Sequence, residues 1–105
     1  MSLIFKIEAK IIINNNGGRT LPIKTGYRPG FNFIDSKQTS GVIILKDINE
    51  LNPGETASVE INFISDMLLG NIKSGSEFKF YEGPFEIGRG MVLKIVGWTM
   101  IERNI

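Results

Sequence analysis

From Phe5 to Ile13 the chain alternates without a break. Phe5, Ile7, Ala9, Ile11 and Ile13 fall on one side, and Lys6, Glu8 and Lys10 on the other. Side chains of a β-strand point to opposite faces in turn, whereas a helix repeats every ~3.6 residues, so this spacing is that of a strand with one buried face. Ala57, Val59, Ile61 and Phe63 repeat the pattern against Ser58, Glu60 and Asn62. Shorter runs occur around Phe31 and Phe33, at Val42 to Leu45, and around Phe78 and Phe80, and Ile87 to Trp98 reads as a long last strand. Asn14 to Gly18, Asn52-Pro53-Gly54-Glu55 and Glu82-Gly83-Pro84 supply turn chemistry between them, and Asp35 to Gly41 reads as a polar loop. Only Ser65 to Ile72 has a helical pattern, which Gly70 weakens. Several short strands with frequent turns point to an all-β sandwich or barrel.

Gly88 and Gly90 interrupt the last strand. Glycine weakens a strand interior, so a bend, a bulge or a close backbone approach is expected there, as in the curl of a small closed barrel. At 105 residues the chain fits one domain, residues 1–105, with enough apolar residues for a core.

Composition narrows function mainly by exclusion. The chain has no histidine and no cysteine, which removes the usual neutral-pH base, the commonest metal ligand, thiol nucleophiles and disulfides. Gly88-Arg89-Gly90 opens like a dinucleotide fingerprint, but Leu93 stands where the third glycine belongs and no helix pattern follows. Lys73-Ser74 fails as a phosphate loop because Ile72 precedes the lysine. Asp47 and Glu50 lie near each other without a third ligand and read as solvated loop charges. No catalysis, cofactor, metal or nucleotide binding is expected. Lys6 and Glu8 break up the opening residues before a signal-peptide core, and no apolar run reaches membrane-span length, so the expectation is a cytoplasmic protein.

With 12 Lys+Arg against 11 Asp+Glu the net charge is +1, too balanced for strong sequence-independent nucleic-acid binding but compatible with a local basic patch. Arg19, Lys24, Arg28 and Lys37 surround Tyr27. Two readings stay open: arginine beside an aromatic contacts phosphate and ribose, or Tyr27 belongs to the core and Arg28 satisfies turn carbonyls.

A set of motifs occurs in a familiar order: Gly17-Gly18-Arg19, Pro22, Gly26 to Phe33 reading GYRPGFNF, Gly41-Val42-Ile43, Pro53-Gly54, Glu82-Gly83, and Ile87 to Ile95 reading IGRGMVLKI. Together they resemble the C-terminal β-barrel, domain III, of elongation factor Tu, from about Phe5 to Gly97. The resemblance implies a closed six-stranded antiparallel barrel that is not catalytic, packs on a GTPase domain and holds the T-arm backbone of aminoacyl-tRNA. The positions matching that contact are Arg19 in the first turn and Glu82-Gly83 in the late one; Tyr27, Arg28 and Pro29 match a motif that organises the barrel and its domain contacts. Thr20, Gly30, Pro84 and Phe85-Glu86 depart from the family pattern, which usually has histidine, glutamine, glycine and Arg-Thr there. The segment Ser65 to Leu69 replaces one with His-Pro.

The chain is therefore expected to be a stand-alone copy of this barrel with a short C-terminal extension. Its expected role is a binding module for tRNA, other RNA or a translation-related protein, through Arg19, Arg28, Glu82 and Gly83. The alternative is a structural or interaction protein that homo-oligomerises or pairs with a dedicated protein partner.

Overall fold

The computed structural model describes residues 2–15 and 20–101. Its strands are β1 (Ser2–Ile13), β2 (Ile23–Lys24), β3 (Gly30–Ile34) and β4 (Lys37–Leu45). They continue with β5 (Glu50–Leu51), β6 (Thr56–Phe63), β7 (Glu77–Glu82) and β8 (Phe85–Ile101). Six of these close an antiparallel barrel in the order β1-β6-β4-β3-β7-β8, with β8 pairing back onto β1. No helix occurs among the described residues.

The period-two pattern is what fills this barrel. Ile7, Ala9, Ile11 and Ile13 from β1 meet Val59, Ile61 and Phe63 from β6 and Ile43 and Leu45 from β4 in one buried cluster. Phe31 stands at its centre, with ring centroids 5.4 Å from Phe63 and 5.7 Å from both Phe78 and Phe80. Edge-on and offset arrangements at such separations are the preferred packing of aromatic rings. Phe5 and Phe33 are only partly buried against the cluster.

Gly88 and Gly90 are explained by lack of space. A Cβ at Gly88 would lie 2.2 Å from Cζ of Phe80 and 2.6 Å from the carbonyl oxygen of Ile12. At Gly90 it would lie 2.6 Å from Cζ of Phe78 and 2.7 Å from the carbonyl oxygen of Lys10. Of the three causes expected from the sequence, close approach is the one that acts at both sites. The Asn52–Glu55 turn closes as its residues require: Glu55 N–H donates to the Asn52 carbonyl at 3.0 Å, and Gly54 takes φ 87°.

Three details differ from the sequence expectation. Lys37 to Ser40 belong to β4, not to a loop, because Lys37, Thr39 and Ser40 pair with Ile34, Phe31 and Gly30; their side chains are polar because most face solvent. Ser65 to Ile72 forms turns, with Leu69 N–H bonded to the Asp66 carbonyl at 3.2 Å and Gly70 at φ 63°. Leu69 alone of this segment is fully committed to the core, so there is no apolar helix face to bury. The two-residue pair β2–β5 joins Ile23 to Leu51 and carries both into the cluster.

Candidate functional site

Glu82 and Gly83 sit where β7 turns into β8. Glu82 pairs with Phe85, leaving Gly83-Pro84 as a two-residue hairpin connection. Gly83 has φ 57°, and proline fixes a negative φ at the next position, the combination of a II′ turn. A second glycine in place of Pro84 would also permit the I′ form, so this departure from the family pattern restricts the turn to one shape.

The Gly26–Pro29 segment reaches the same end of the barrel. Gly26 N–H donates to the Ile43 carbonyl and Ile43 N–H to the Tyr27 carbonyl, both at 2.9 Å. The Tyr27 ring packs against the core while its hydroxyl donates to the Glu82 carboxylate. Pro29 is buried and accepts a bond from Gly41 N–H at 3.4 Å. Arg28, between them, is exposed. Tyr27 and Pro29 thus build the frame, and Arg28 is presented to solvent beside the residue that grips the turn. Arg19, with Gly17 and Gly18, lies outside the described residues.

Gln38 ties the turn to a neighbouring groove. Its Nε2 donates to the Gly83 carbonyl at 3.4 Å. A Cβ on Gly30 would fall 2.3 Å from Gln38 Oε1, so the glycine makes room for this amide. Where the family pattern has glutamine at position 30, a glutamine from the adjacent strand occupies the space here.

The groove, of about 590 Å³, is lined by Gln38, Asn32, Tyr81, Lys79 and Arg89, among others, with Asp35 and Glu77 also on it. The Asn32 amide is already spent on the carbonyls of Ile34 and Lys37, at 3.0 and 2.9 Å. Lys79 and Arg89 are directly opposite in the β7–β8 register and both exposed. Like charges facing each other across strands repel by roughly 0.2–1 kcal/mol. Lys79 Nζ reaches Glu86 Oε1 at 3.5 Å, and Glu86 is in turn held by Asn14 Nδ2 at 3.1 Å. Arg89 has no ion pair among the described residues.

In the sequence Arg89 stands in a failed fingerprint and inside the Ile87 to Ile95 motif of the family resemblance, without a binding role, and Lys79 is not singled out. Their alternation with Phe78, Phe80, Gly88 and Gly90 does turn both outward. What brings them face to face is a register shift between Phe80 and Tyr81. Continued straight from the Glu82–Phe85 pair, the ladder would set Lys79 against Gly88 instead. Such a bulge has no reliable signature in a single sequence.

Among the described residues no cluster of three or more acidic side chains could hold a metal ion, and the chain has no histidine or cysteine. The surface offers charge, amides and an aromatic edge, which is binding chemistry. Barrel and turn together define a small all-β module of the kind that forms one domain of a translation factor. The family model of the elongation factor Tu C-terminal domain matches residues 2–96, and the chain belongs to that family. This domain of the factor is non-catalytic.

Proposed function

We propose that this chain is a cytoplasmic binding module that takes an RNA backbone along the groove beside the Glu82–Gly83 turn. The observation that carries the reading is the Lys79–Arg89 pair: two cations held opposite each other, with Arg89 lacking a carboxylate among the described residues. A phosphate between them would turn a repulsion into two charge-assisted contacts. Support comes from the Gln38 amide, which has hydrogen-bonding groups suited to a ribose hydroxyl, and from the half-buried Tyr81, which offers an aromatic face. Arg28 extends the cationic surface from the neighbouring segment, and Arg19 is included in the proposal because its Gly-Gly-Arg motif resembles the family's.

A filter-binding titration with aminoacylated and bare tRNA across salt tests this. The expected result is saturable binding at low salt that weakens steadily as salt rises, since bound phosphates release counterions. Absence of saturable binding at low salt rejects the RNA reading and leaves a protein partner for the same surface.

A further inference from the structure

β8 outruns its neighbours. Its residues 85–91 pair with β7, and Val92 exchanges backbone bonds with Ser76 and Gly75 at 2.8 Å. Ser74 Oγ caps the Leu93 carbonyl at 2.8 Å. Beyond that point, among the described residues, β8 is paired on one side alone, to β1. Its other edge, to Ile101, presents alternate N–H and C=O groups with no strand beside them. Natural edges of this kind are normally guarded by charges, proline or bulges. Two register shifts and Gly97 at φ 92° disturb the edge as far as Gly97, but Gly97 to Ile101 runs in unbroken register with Ser2 to Lys6 and has neither charge nor proline.

The exposed side chains follow the same segment. Leu3 lies opposite Met100 and Phe5 opposite Trp98, so the four share one face, and Phe5 and Trp98 meet edge to face at 5.5 Å. Leu3 is 57% exposed, Trp98 45% and Met100 58%. This is the face that lines the core further along β1: Phe5 is still partly buried against the cluster, while Leu3, Trp98 and Met100 carry the face on into solvent.

We infer that this edge pairs with a second copy of the same chain, β8 against β8, antiparallel about a two-fold axis at Thr99. The sequence is self-complementary in that register. Trp98 of each copy faces Met100 of the other, a favourable sulfur–aromatic contact, and Ile101 covers the bare backbone of Gly97. Thr99 meets Thr99, a pairing that strands favour. The lysines at position 94 fall at opposite ends of the pair, so no like charges meet. A two-fold pairing joins the two apolar faces into one and satisfies both open edges, as closed symmetric interfaces do.

The test uses the full chain and its lack of native cysteine. Light scattering over a concentration series is expected to give twice the mass of one chain, and Met100→Lys to return it to a single-chain mass with an unchanged circular-dichroism spectrum. Directly opposite residues are about 4.5–5.5 Å apart at Cα, within disulfide reach. Thr99→Cys is therefore expected to cross-link under mild oxidant at least tenfold faster than the exposed control Ser58→Cys. A single-chain mass at every concentration overturns the inference. So does a dimer that survives Met100→Lys or shows no preference for Thr99→Cys, because its interface then lies elsewhere.

Discussion

Among the described residues two like-charge pairs sit on the outside of this barrel, and they are treated differently. On the β1–β6 side Glu8 faces Glu60. Lys46 bridges them, 3.6 Å from Glu8 and 3.7 Å from Glu60, and Lys6 adds a contact to Glu60 at 3.3 Å. On the β7–β8 side Lys79 faces Arg89, and among the described residues Glu86 answers only Lys79. The acidic pair is neutralised within the chain; the basic pair leaves Arg89 without an ion pair among the described residues. With a net charge of only +1, such local imbalance is a better guide to a binding surface than overall charge.

The comparison can be broken most severely through the backbone that holds Arg89 out. Gly88→Ala drives a methyl into Phe80 and the Ile12 carbonyl, and the expected cost is about 1–3 kcal/mol or more, read by denaturant unfolding. Loss of the β7–β8 register should abolish RNA binding with it. Lys46→Met strikes the other side by leaving Glu8 against Glu60. A loss of about 0.5–1 kcal/mol is expected, shrinking in high salt as screening replaces the lysine. Arg89→Gln sharpens the contrast because its sign is opposite. Relief of the Lys79 repulsion is expected to leave stability unchanged or raise it by a few tenths of a kcal/mol at low salt. If Arg89→Gln destabilises as much as Lys46→Met does, the two faces are equivalent and the argument from imbalance fails.

Much of the frame was legible in advance because alternation and turn chemistry are local. Ile7 to Ile13 and Val59 to Phe63 show their buried face by spacing alone, and Asn52 to Glu55 closes for reasons contained in four residues. Closure into a barrel with six strands came from the family resemblance, since alternation alone left sandwich and barrel equal. The β2–β5 pair escaped because two residues carry no period. The strand at Lys37 to Ser40 escaped because polar side chains on a solvent-facing ladder look like a loop. The Glu82–Gly83 turn and the Tyr27 frame were visible as motifs, but not the bond between them, which spans distant parts of the chain. Lys79 and Arg89 could be turned outward from sequence; only the bulge at Phe80–Tyr81 sets them face to face.

If Lys79 and Arg89 hold phosphate, as proposed, both should contribute to binding that weakens with salt. The most direct measurement is the salt dependence of tRNA affinity for the native chain and for Lys79→Gln/Arg89→Gln. Each phosphate contact contributes about 0.7–0.9 to the slope of log affinity against log salt. The double variant is expected to bind more weakly at low salt, with a slope shallower by about 1.5. An unchanged slope with unchanged affinity would contradict the proposal.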